Sequence, residues 1–149
     1  MTNGSPDSAF LKAFEDGTLP FSEWKHRAHI RVAYLYLRQW PYAEALDKIR
    51  THIKRYNVAT NASETLERGY HETITFAWMR LVHFTLSEYG PAATADEFLE
   101  AQEHLLNRKA LNFFYSRDLI LSWRAKAEFV EPDLAPFPVS KKATLVLAK

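Results

Sequence analysis

The chain has no cysteine. That excludes disulfides, thiolate ligands and a cysteine nucleophile, so any metal ion would have to be held by nitrogen and oxygen. Nor does charge of one sign dominate: 19 basic residues face 18 acidic ones, a net charge of +1. So even a balance gives no long-range field, and neither nucleic acid nor a membrane is expected as a partner. Long hydrophobic runs are also missing. The longest, Val32 to Leu37 and Ile74 to Met79, fall far short of the ~20 residues that span a bilayer. The four glycines are scattered, which leaves no glycine-rich phosphate loop, and no nucleophile elbow marks a catalytic serine. The opening MTNGSPDSAF has neither the basic start nor the apolar run of a secretory signal, so a cytoplasmic location is the expectation.

What is present is apolar and aromatic. With 149 residues, 47% hydrophobic and 14% aromatic, the chain can bury one sizeable core. A single helical domain over 1–149 is expected, its last part from about 130 an extended tail. Ser5, Pro6 and Asp7 signal a helix start and Gly17 a helix end, which predicts a helix over 6–16 with Phe10, Leu11 and Phe14 turned inward. Ser22 can cap a second helix over 22–39, which Trp40-Pro41 stops. A third, over 42–56, spaces Ala45, Leu46, Ile49 and Ile53 for burial. The polar stretch 57–69 reads as a loop, and loops of that length in small domains are more often functional than filler.

A fourth helix over 70–89 ends at Gly90-Pro91, and a fifth over 95–107 opens on the capping box of Thr94 and Glu97. A broken segment with Phe113, Phe114 and Tyr115 precedes a last helix from Ser116 to about 127. Pro132, Pro136 and Pro138 then favour an extended tail, with a short extended piece at 144–148. The fold class is therefore all-α: a compact bundle of four to six helices, with a long loop before the fourth and a proline-containing tail.

Six histidines are available for chemistry. His52 and His104 sit in polar surroundings and are expected at the surface, whereas His83 fits a buried, hydrogen-bonded role. His26 and His29 differ, because at ~3.6 residues per turn they lie on one face, one turn apart. Arg27 and Arg31 mark the opposite face as solvated. Two imidazoles turned inward need a metal, a carboxylate or water to satisfy their nitrogens.

His71 and Glu72 open the fourth helix directly after the long loop. Three neutral imidazoles and a carboxylate suit a divalent transition metal: Zn, Fe, Mn, Co or Ni. His26, His29 and His71 are the expected ligands, and Glu72 is a fourth ligand or a general base on metal-bound water. Tyr70 and Tyr115 would present hydroxyls at the mouth and orient a substrate. Glu72 also has a plainer role, as an acidic residue against the positive end of a helix. Asn57 and Asn61 could orient a ligand or simply form turns, and Trp24 and Trp78 fit core or pocket wall.

The order F-x4-L-P-x-x-E-W-x-H-x-x-H-I from Phe14, R-x-N at Arg55, N-x7-G-Y-H-E-T-I-T from Asn61, Y-S-R at Tyr115 and V-E-P-D-L-A-P at Val130 resembles a family of small bacterial helical proteins of uncharacterised activity. The likeness runs from Phe14 to Pro138 and is most specific at Gly69 to Thr75. It implies a shared site and no particular reaction. Lys25 and Ala62 stand where that pattern has threonine, and Lys126 where it has arginine. Tyr115, Ser116 and Asp133, within the recurring segments, would support or cover the pocket or form a structural tail.

The expected function is a small metal-dependent enzyme, a hydrolase, lyase or oxygenase acting on a small organic molecule. The alternative is a non-catalytic module binding a small molecule or a partner, with Tyr70, His71 and Glu72 as a structural hydrogen-bond network. The aromatic content would suit a homodimer as well as a monomer.

Overall fold

Ser5 accepts the Ser8 backbone N–H on its side chain and Gly17 closes the far end in the left-handed region at φ 78, so α1 (Pro6–Asp16) has the bounds its end signals predict. The computed structural model describes residues 5–139. Gly17 is also a point of close approach: a Cβ there would lie 2.9 Å from the Cβ of Ala59.

The second helix starts later than predicted. A 3-10 turn over Phe21–Glu23 comes first, Trp24 and Lys25 leave the helical region, and α2 spans His26–Gln39. Trp24 is drawn inward, with its ring centroid 4.6 Å from that of Phe14 and 3.8 Å from that of His29. That stacking outweighs the modest helix preference of residues 22–25.

α3 (Tyr42–Ala59) follows Pro41 and runs three residues past its predicted end, where the Thr60 hydroxyl donates to the Tyr56 carbonyl. The connection to α4 (Glu72–Tyr89) is accordingly shorter than expected. It is held by the Thr65–Arg68 turn and by the Glu64 carboxylate, which accepts the Tyr70 backbone N–H at 3.2 Å. Gly69, at φ 93, leaves room for that carboxylate, which a Cβ would approach to 2.4 Å. Lys126 donates to the Tyr70 carbonyl and to Glu64, and so anchors this loop.

Thr94 caps α5 (Ala95–Ala101), which is shorter than predicted and continues as 3-10 turns over Glu103–Leu106 and Arg108–Phe113. The last predicted helix is two: α6 (Arg117–Ile120) and α7 (Trp123–Ala127), capped by Ser116 and Ser122. Ser122 takes an extended conformation and accepts from Ala125 N–H, which restarts the helix. Among the described residues the structure is all-α, and no helix is long and apolar enough to cross a membrane.

α2 is the central element, packed against α1, α3, α4 and α5. Its Ile30, Val32, Ala33, Tyr34 and Tyr36 are all buried, which is why it reads as apolar on more than one face. Arg31, expected in solvent, instead donates through Nε and a terminal nitrogen to one oxygen of Asp7, whose other oxygen accepts the Ala95 backbone N–H. That one carboxylate joins α1, α2 and α5.

The extended tail docks on the bundle. Thr73 on α4 donates to the Glu128 carbonyl and accepts from Val130 N–H, Asp133 accepts from Ser116 N–H, and Phe137 packs on Phe114 and Tyr115. Ser116 and Asp133 thus secure a structural tail. The predicted extended piece at 144–148 lies outside the described residues.

A candidate ligand-binding cleft

His26 is the first residue of α2, and its Nε2 lies 2.9 Å from the Leu105 carbonyl. A carbonyl only accepts, so Nε2 carries the hydrogen and Nδ1 the lone pair. One turn on, the half-buried His29 makes the converse choice: Nδ1 donates to the Lys25 carbonyl at 2.9 Å, leaving Nε2 as acceptor. Burial lowers the pKa of both rings, that of His29 to about 4, and the nearby Arg108 charge pushes both in the same direction. Both are therefore neutral imidazoles at neutral pH.

His71 is not directed at them. It is the N-cap of α4: Nδ1 accepts the Ile74 backbone N–H at 3.1 Å, and Nε2 donates to the Ile120 carbonyl at 2.9 Å. Neither ring nitrogen is left for a metal. The Glu72 carboxylate is likewise committed, receiving Arg50 on both oxygens at 2.7 and 3.0 Å and the Tyr70 hydroxyl at 2.6 Å. Burial works against its charge, yet the Arg50 and Tyr70 hydrogen bonds hold its carboxyl below the usual carboxylate range. The same burial, with Glu72 adjacent, pushes the Tyr70 hydroxyl up.

Tyr115, expected at the mouth of a site, is fully enclosed and donates to the Val130 carbonyl at 2.6 Å. Burial raises its pKa to about 12. Its role is to fix the tail.

The proposed ligand set thus divides. His26 and His29 face one cleft, whereas His71 bonds to backbone groups at Ile74 and Ile120, Glu72 is held by Arg50 and Tyr70, and Tyr115 belongs to the core. Among the described residues no group of three His, Asp or Glu could hold a metal ion. The donor set therefore does not fit a divalent metal, because two of its four members already have every useful atom paired.

The other histidines also divide. His52, expected at the surface, is half-buried, donates Nδ1–H to the Lys48 carbonyl and packs near Phe14 and Tyr36. His83 is half-buried with the Tyr42 ring as its neighbour, at 4.9 Å, and among the described residues it makes no hydrogen bond of the kind expected. His104 is exposed, as predicted.

The two cleft histidines open onto a cavity of about 980 Å³ between α2, α3, α4 and the Arg108–Phe113 turn. Its floor includes Ile30, Ile49, Ile53 and Met79, and Trp24 and Trp78 stand in its walls, as the sequence predicts for them. Trp78 lies 4.6 Å from the His26 ring. Lys25, Arg27, Arg108 and Lys109 also line it, and among the described residues no Asp or Glu does.

Beyond Trp24 and His29 lies a smaller polar niche of about 360 Å³, reached by Asn57, Asn61, Ser63 and Arg68. Asn57 is only 8% exposed, and its side-chain amide has no hydrogen-bond partner among the described residues. Asn61 takes φ 57, the one non-glycine in the left-handed region among the described residues. Arg108 and Lys109 are the lining residues that sequence reasoning missed. Nothing periodic marks them, and it is packing of the 103–106 turn on α2, with the His26–Leu105 hydrogen bond, that folds their segment over the start of that helix.

Comparison with family models, with curated proteins and with solved structures gives no match to this chain. What the fold defines is an all-helical protein with an open, largely apolar cleft at its central helix. Function has to be argued from that cleft.

Proposed function

We propose that the chain is a small-molecule-binding helical module and that the His71–Glu72 cluster is structural. The observation that carries this reading is the cleft of about 980 Å³ with an isoleucine and methionine floor, two tryptophans and two neutral imidazoles in its walls. Such a cavity has the size and the lining of small-ligand sites, which are mostly apolar with a few placed polar groups. His29 Nε2 and His26 Nδ1 have no partner among the described residues, so each can accept a hydrogen bond from a ligand O–H or N–H. A metal-dependent reaction finds no comparable support, since His71 and Glu72 are occupied by protein groups.

Methyl NMR of the full chain titrated with 2-naphthol, an aromatic O–H donor, tests this. Saturable shifts at Ile49, Ile53 and Met79 are expected. Absence of any saturable shift with 2-naphthol or the naphthyl probes used below would remove the binding role. Stoichiometric zinc binding that is lost in both His26→Ala and His71→Ala would restore the metal-enzyme expectation.

A further inference from the structure

On the footing of that binding role, we propose that the ligand is an anionic amphiphile: an apolar, preferably aromatic body on the isoleucine floor, with a carboxylate-type head at the cationic mouth of the cleft. The near-neutral charge of the whole chain conceals a local excess. Four cations line the cleft, from positions 25, 27, 108 and 109, and among the described residues no carboxylate does. Arg27 is paired with Asp96 at 2.9 Å. Lys25, Arg108 and Lys109 have no ion-pair partner among the described residues.

These three come from segments about eighty residues apart and are brought to one mouth by the hydrogen bond from His26 to Leu105. Like charges gathered without a counter-charge repel one another, and a bound anion relieves that repulsion. A cationic ligand would add to it. Solvated lysines on an open face would carry no such meaning. Here they border an apolar cavity whose walls would shield a head group's charge from water on one side, where charge-assisted hydrogen bonds strengthen.

Arg108 is the principal contact. Its planar guanidinium can offer two parallel N–H donors to a carboxylate, whereas a lysine ammonium acts as a point charge. Its charge also reaches both imidazoles. The histidines therefore do not supply the positive charge themselves. They remain acceptors for a donor on the ligand body, and the head group is left to the guanidinium and the two ammonium groups.

Calorimetric titration of the full chain at neutral pH with three probes sharing one naphthyl body separates the alternatives: 1-naphthaleneacetate, 1-naphthaleneacetamide and 1-naphthylmethylamine. The acetate should bind about tenfold more tightly than the amide, and the amine more weakly than either. Added salt should weaken the acetate alone. Arg108→Gln, an exposed substitution whose folding is checked by circular dichroism, should cost the acetate about tenfold and leave the amide within about twofold. Lys109→Glu, a second variant, should act in the same direction. Equal affinity for acetate and amide, or a preference for the amine, overturns the anion assignment and leaves the binding role standing. Failure of all three probes and of 2-naphthol removes the binding role itself.

Discussion

Arg50 grips Glu72 through both carboxylate oxygens, with its closest nitrogen at 2.7 Å, and so ties the middle of α3 to the first residue of α4. The side chains are 27% and 15% exposed, so solvent screens this pair much less than a surface pair. Glu72→Gln should therefore lower stability by about 2 kcal/mol. Glu128→Gln, in an exposed pair with Arg124, should change it by less than about 0.5 kcal/mol. Urea denaturation of both variants checks the contrast, and equal losses would show that the Arg50 pair has no special weight.

His71 satisfies two backbone groups at once, capping α4 and holding the Ile120 carbonyl. His71→Ala removes both and should cost about 2 kcal/mol in chelator-treated protein. His71→Asn retains a capping side chain and should recover about half of that. A loss seen only in the presence of added metal would contradict the structural role.

Two tyrosines with enclosed hydroxyls should respond in opposite ways to loss of that group. The Tyr42 hydroxyl is buried with no hydrogen-bond partner among the described residues, and burial pushes its pKa up to about 12. Tyr42→Phe should stabilise the fold by about 1 kcal/mol. Tyr115→Phe, which strips the Val130 carbonyl of its donor, should destabilise it by a similar amount, about 1 kcal/mol. Thermal or chemical denaturation of the pair gives the signs directly.

Acid should weaken the fold through its sheltered histidines. His26, His29 and His71 all have pKa values lowered chiefly by burial, that of His29 from 6.5 to about 4. The unfolded chain therefore takes up protons first, so stability is complete above about pH 6.5 and falls as pH drops toward about 4. Melting temperature measured across that interval should decline, and His29→Gln should flatten the decline. A flat profile for the parent chain would contradict the buried, neutral state of these rings.

Much of the helical text was legible because local chemistry decided it. Ser5 and Gly17 bound α1, Gly90 ends α4, and Thr94 caps α5, each through the backbone group that its side chain or φ angle serves. What eluded the sequence was decided by contacts between distant segments. Trp24 breaks the second helix because Phe14 offers it a ring to stack on. His71 looked like a ligand because an imidazole is an unusual helix cap, and its partner at Ile120 lies 49 residues away.

The same holds for the candidate site. His26 and His29, one helical turn apart, line one cleft, which is as much as their spacing can specify. Glu72 could not be assigned from spacing, because the residue that claims it, Arg50, sits on another helix. The cationic mouth was hidden for a further reason: 3-10 turns carry no long apolar period to show which way Arg108 and Lys109 project.

The stacking of Trp24 on His29, and the contact of Trp78 with His26, equips the molecule with its own optical gauge. Trp40 and Trp123 are exposed and open to caesium, a cation that the lysines and arginines around the cleft repel, so a dissolved quencher can silence them and leave the two sheltered indoles emitting. Since an imidazolium dims an adjacent indole more than a neutral ring does, the surviving emission reports, without any label, the protonation of the rings that line the cavity.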